Sequence, residues 1–183
     1  MLMRKQLAPK IIVLTLLVVG AVGNGQCVEA AEKKPMPPTS RPAPSSMTKE
    51  EMQAFLARPL VARLATVRTN GSPQIVPMWF LYEDGVMYMS TRTYAAKVKH
   101  LQKNPRVAVV VDEMVAPLKN KVVTLEGTAE LQTTGVKEMT TKIYHKYVGI
   151  EGAAAPAAQQ SINTPRVILK ITSKKIESMD TTR

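Results

Sequence analysis

Residues 73–101, PQIVPMWFLYEDGVMYMSTRTYAAKVKHL, constrain the fold more than any other part of the chain. The run 74–82 is apolar at alternate positions on both sides: Ile75, Pro77, Trp79 and Leu81 on one, Val76, Met78, Phe80 and Tyr82 on the other. A strand with two apolar faces must be covered twice, as in a small barrel packed against a further element. Asp84-Gly85 is a hairpin turn signal. A second strand, 86–90, runs into Ser90-Thr91-Arg92-Thr93, and a helix bearing Lys97, Lys99 and His100 follows. Two hydroxyls, the free N–H groups of a helix start and a lysine one turn inside would suit an anion. An aromatic-bearing strand beside them would suit a flat ring, so the stretch points to a cofactor with a phosphate at one end and a ring system at the other.

The remaining chain reads as turn-connected strands with flanking helices. Thr48-Lys49-Glu50-Glu51 is a capping box that starts a helix ending before Arg58-Pro59. Residues 61–68 form a first strand, and Asn70-Gly71 is expected to turn it back in a type I′ turn. Asn104-Pro105 stops the helix after the central hairpin. The β-branched run at 106–111 reads as a buried strand. Residues 112–120 read as a loop, 121–132 as a long strand with a bulge or corner at Gly127, and 134–147 as a helix. Residues 149–163 read as a mobile loop and 165–171 as the last clear strand, with a tail that continues the pairing. The expected fold is mainly β with helices (α+β): a small antiparallel split β-barrel of about six strands. Such a barrel leaves apolar surface uncovered, which predicts a homodimer.

The first thirty residues stand apart. Arg4, Lys5 and Lys10 precede an apolar run at 11–22, short for a membrane span, and Val28-Glu29-Ala30 fits a cleavage site. Residues 1–30 therefore read as a signal peptide, with a retained anchor as the alternative; both place the domain outside the cytoplasm. Cys27 is the sole cysteine, so a processed chain would have no disulfide or thiol chemistry. Residues 31–46 are rich in Pro and Ser and read as a disordered linker, leaving 47–183 as the domain. The net charge of +11 falls to +9 when three basic residues and one acidic residue leave with the signal. Scattered lysines and 4% aromatics do not match a nucleic-acid binder. Attraction to anionic cofactors or envelope surfaces fits the charge better.

The order of several short motifs carries a family resemblance. Ala62-Arg63-Leu64-Ala65-Thr66-Val67 is followed by Asn70-Gly71-Ser72-Pro73, Val76-Pro77-Met78-Trp79-Phe80 and Tyr88-Met89-Ser90-Thr91. Then come the helix at 97–101, Asn104-Pro105-Arg106-Val107-Ala108 and Leu125-Glu126-Gly127-Thr128-Ala129. Together they resemble the pyridoxamine-5'-phosphate-oxidase-like, FMN-binding split-barrel superfamily, in the branch containing F420-dependent proteins. The resemblance implies a homodimer with each cofactor site shared across the interface. It places a phosphate-binding lysine at Lys97, supported by Ser90, Thr91 and Arg92, and sets Val76, Pro77, Met78 and Trp79 against the ring system. Tyr94 replaces the small or basic residue often found there.

The implied activity is hydride transfer between FMN, or alternatively F420, and a small organic substrate; a non-catalytic flavin- or haem-binding protein is the competing reading. Members with true pyridoxamine-phosphate oxidase activity have a lysine where Trp79 stands and end in an Arg-Leu-x-Pro segment, which this chain lacks. No metal site is expected, since His100 and His145 are the only histidines; His145 is the residue a haem would use. Arg4-Lys5 is not a twin-arginine motif, so export of an unfolded chain is expected. Binding the cofactor outside favours FMN, whereas the branch resemblance favours F420.

Overall fold

The computed structural model describes residues 45–182. The expected signal peptide and nearly all of the linker lie outside them. The linker's final residues belong to the fold: Ser45 bridges Asp180, with its amide donating to the Asp180 carbonyl at 3.2 Å and its own carbonyl accepting from the Asp180 amide at 2.7 Å.

Among the described residues, seven strands form one antiparallel sheet. In chain order the elements are α1 (Lys49–Ala57), β1 (Ala62–Val67), β2 (Pro73–Met78), β3 (Leu81–Glu83), β4 (Val86–Arg92) and α2 (Ala96–Lys103). They are followed by β5 (Arg106–Ala116), β6 (Lys119–Gln132), α3 (Val136–Ala154), α4 (Pro156–Asn163) and β7 (Arg166–Asp180). The sheet order β2-β1-β5-β6-β7-β4-β3 puts two strands consecutive in sequence at its opposite edges. A curled sheet whose edges adjoin in the chain but do not pair is a split barrel. Leu64, Met87, Met89, Val109, Val111, Leu125, Leu169 and Ile171 fill the interior and are buried. They alternate with outward residues, as period-two geometry requires.

The apolar run 74–82 is not one strand. Pairing with β1 ends at Met78, opposite Ala62, and pairing with β4 begins at Leu81, opposite Tyr88. Trp79 and Phe80 sit at the split. Asn70-Gly71 also departs from expectation: only Gly71 is left-handed (φ 85), and the turn closes from its amide to the Arg68 carbonyl at 2.9 Å. Asp84 and Gly85, at φ 50 and 80, do form the left-handed pair that a two-residue hairpin needs. The expected loop at 112–120 is the far end of the β5–β6 hairpin, and the expected loop at 149–163 is helical, broken by Gly149 (φ 74). The capping box forms as read, with Thr48 and Glu51 exchanging hydrogen bonds of 2.8 and 3.2 Å.

The bulge expected at Gly127 is present, as a register shift between Glu126 and Gly127 against β7. A Cβ on Gly127 would lie 2.1 Å from the Thr172 carbonyl oxygen, so a side chain there forces β6 off β7. Gly127→Ala is expected to cost about 1–3 kcal/mol, the usual penalty of overpacking. Urea denaturation checks this, and an unchanged midpoint would show that the two strands have room to separate.

Candidate cofactor site

β4 carries its side chains to two sides. Met87, Met89 and Thr91 share the interior face, and Thr91 is buried near the end of the strand. Ser90 points the other way. Its hydroxyl lies 2.7 Å from that of Thr140 on α3 and accepts from Arg166 at 3.3 Å. The adjacent hydroxyls at 90 and 91 thus serve different faces, as strand alternation demands.

α2 starts at Ala96, so Lys97 lies in the first turn rather than one turn inside. Val98 and Leu101 bury against the barrel, and the hydroxyl of Thr66 meets Nδ1 of His100 at 3.3 Å. His100 therefore helps seat α2 on β1. Ala95 provides no side-chain cap, leaving the first N–H groups of the helix without the usual acceptor. Lys97 reaches back to Thr91, with Nζ to Oγ1 at 3.2 Å. It is half-buried and forms no ion pair among the described residues. Burial pulls its pKa below the ordinary lysine value. A partly dehydrated ammonium whose partner is a neutral hydroxyl is the donor set a phosphate oxygen would satisfy.

The other expected residues are placed as follows. Arg92 is exposed and donates to the Tyr94 hydroxyl at 3.0 Å, with its guanidinium 5.9 Å from that ring. Val76 and Met78 pack against the core, whereas Pro77 faces outward. β2 is an edge strand paired only with β1, so its outer backbone edge is available to the rim of a ring. Trp79 stacks face to face on Tyr147 (centroids 4.6 Å apart, planes 5° apart) and meets Tyr144 edge-on at 5.3 Å. His145 is exposed. Two cavities of about 470 and 530 Å³ lie on the outward face of β1 and β5, lined by residues such as Ala65 and Ala108. Neither is lined by Thr91 or Lys97.

Residues not singled out in the sequence hold the split. The Tyr147 hydroxyl donates to the Leu60 carbonyl at 2.6 Å and accepts from the Phe80 amide at 3.1 Å. Burial pushes its pKa up to about 12, although the Phe80 hydrogen bond opposes the shift. Lys146 donates to the Leu56 carbonyl at 2.8 Å and lies 3.6 Å from the centre of the Phe80 ring. Arg166 donates to the carbonyl and hydroxyl of Ser161, both at 2.9 Å, tying β7 to the end of α4. In the sequence these are ordinary polar residues; only their long-range partners distinguish them.

The model of the family described as pyridoxamine 5'-phosphate oxidase matches residues 48–180. The chain belongs to this family. Similar solved structures from the same fold include a conserved hypothetical protein of Mycobacterium tuberculosis, with 23% identity and a TM-score of 0.67 over 79% of this chain and 91% of that one. An F420 reductase has 27% identity and a TM-score of 0.56 over 68% and 94%. An FAD- and haem-binding protein of Mycobacterium smegmatis has 15% identity and a TM-score of 0.61 over 74% and 72%. No curated protein matches the chain. The split barrel of the pyridoxamine 5'-phosphate oxidase family thus accounts for the described fold.

The latch at the split has a pH signature. Burial lowers the Lys146 pKa from 10.5 to about 8. Across that window the unfolded chain holds a proton that the folded chain has released, so stability rises with pH. For Tyr147 the sign reverses: between 10.0 and about 12 the folded chain keeps a proton that the unfolded chain has lost, and stability falls. Lys146→Met is expected to shrink the rise to the part that Lys97 contributes and to retain the fall. Denaturant midpoints of both proteins at pH 7.5, 9.5 and 11 check this; parallel curves would refute the assignment.

Proposed function

We propose that the chain is a flavin- or deazaflavin-dependent oxidoreductase acting by hydride transfer on a small organic molecule, with the cofactor phosphate held by Thr91 and Lys97. The observation that carries this reading is the half-buried Lys97 ammonium, with Thr91 as its hydrogen-bond acceptor and without an ion pair among the described residues. Flavins and deazaflavins supply the hydride chemistry themselves when bound. The protein's task is to bind and orient. Lys97 and the uncapped start of α2 neutralise the phosphate, Arg92 adds charge at the rim, and the outer edge of β2 offers backbone donors and acceptors at 76–79 to the ring. Ser90 contributes indirectly, fixing β4 against α3 through Thr140 and Arg166.

FMN is the cofactor we assign, with F420 as the alternative. Expected export favours FMN, while the 27% identity to an F420 reductase favours F420. Pyridoxamine phosphate is not the substrate we assign. The position where true oxidases of the resembled superfamily carry a lysine is Trp79, already stacked on Tyr147. A homodimer completes the reading. Ile75 is 66% exposed on the outward face, beside Ala65, Ala108, Val110 and Val122 of the larger cavity. A second copy would cover this apolar surface.

Separate titrations of FMN and F420, followed by fluorescence, test the assignment. Saturable binding of one is expected, and Lys97→Ala should weaken it by about 1–3 kcal/mol, the scale of a lost charged hydrogen bond. Equal affinity of the variant would remove the phosphate from this site. Light scattering at micromolar concentration should give a dimeric mass; a monomer would refute the shared interface.

A further inference from the structure

The far end of the β5–β6 hairpin is built against the ordinary rules for a water-exposed turn. β1 pairs with β5 only as far as Val111, opposite Ala62, and β7 reaches β6 only at Lys121, opposite Asp180. Residues 112–119 therefore extend past the strands that flank them. Met114 is 78% exposed, Val115 55% and Leu118 76%. The register shift between Met114 and Ala116 leaves Val115 without a cross-strand partner and lets two consecutive apolar side chains face out. Leu118 follows Pro117 with φ 65, a conformation that turn chemistry normally gives to Gly or Asn. Neither solubility nor backbone economy explains a leucine there, and strain of this kind marks functional positions.

Charge and chain path say what meets this tip. Its acidic neighbours are each paired: Asp112 with Arg63, Glu113 with Arg58 at 2.5 Å, and Asp180 with Lys121 at 3.3 Å. Lys119 at the turn is exposed and forms no ion pair among the described residues. The described chain also enters the domain here. Ser45 pairs with Asp180, and Thr181 accepts from the Asn120 amide at 2.8 Å. Upstream in the sequence lie the apolar run 11–22 and, between it and Ser45, 22 residues. Such a length reaches at most roughly 80 Å, which bounds the distance to an anchor point but not the orientation.

We propose that the β5–β6 tip is a membrane-docking element, in which Met114, Val115 and Leu118 enter the interface of an anionic bilayer with Lys119 at the headgroups; the inference rests on the retained-anchor alternative for residues 1–30, in which the apolar run acts as the tether. A single weak insertion is marginal, whereas two linked contacts give stable, oriented attachment. The inference is independent of the cofactor assigned above.

The test uses the full-length chain with Cys27→Ser and a single environment-sensitive label at Val115→Cys, reconstituted with phosphatidylcholine–phosphatidylglycerol vesicles. A label at Thr69→Cys, in the exposed turn at the other end of β1, serves as the reference. The expected result is a blue shift, with quenching by bromine-substituted acyl chains, at 115 and not at 69. Both signals should be lost when Met114→Glu and Leu118→Glu are added with the circular dichroism spectrum and thermal midpoint unchanged. An equally aqueous label at both positions overturns the proposal, as does equal immersion in pure phosphatidylcholine. A blue shift that grows with protein concentration without vesicles also overturns it, assigning the tip to a second copy.

Discussion

One phenol hydroxyl holds the point where the two edges of the sheet part. β2 and β3 are neighbours in the chain yet stand at opposite ends of the strand order. Where they part, the Phe80 amide donates to the Tyr147 hydroxyl, which in turn donates a hydrogen bond to the Leu60 carbonyl. A buried amide without an acceptor would be costly, so α3 must stand where it does. The rest of the contact follows from that placement: Trp79 lies flat on the Tyr147 ring, and Lys146 covers Phe80. α3 then meets β4 through Thr140 and Ser90, so one helix sets both the split and the outer face of the strand that leads to Lys97.

Much of the barrel could be read from residues whose role is local. The Thr48–Glu51 box, Asp84-Gly85, the bulge at Gly127 and the β-branched run in β5 each act through neighbours in sequence or through a steric demand that glycine alone meets. Other features were hidden because they depend on distant partners. The run 74–82 is apolar throughout, so nothing in it marks the break at Trp79 and Phe80; the break exists because pairing partners end on both sides. Asp112 and Glu113 look like loop residues, but Arg63 and Arg58 neutralise them on an extended strand. The helical segment at 149–163 was obscured by two glycines, a proline and few large side chains.

The proposed phosphate site shows the same division. Lys97 and Thr91 could be picked out because Thr91 stands near the end of a strand and Lys97 opens the helix after it, and the structure brings their side chains together. Ser90 looked equivalent to Thr91 by adjacency. Strand alternation separates them, and this rule was available in the sequence. Arg166 could not have been placed near Ser90 from sequence, since 76 positions separate them and the link runs through the end of α4.

β7 joins parts of the chain that are far apart. It pairs along one side with β4 and along the other with β6, and Val86 faces Thr172. It also comes after every other described strand. Until it emerges, β3 and β4 have no route to β5 and β6, and the interior remains open to water. Such non-local pairing slows folding, because loop-closure entropy must be overcome before contacts form. The order of elements therefore acts as a timer. During synthesis the barrel stays unclosed until its last strand is available.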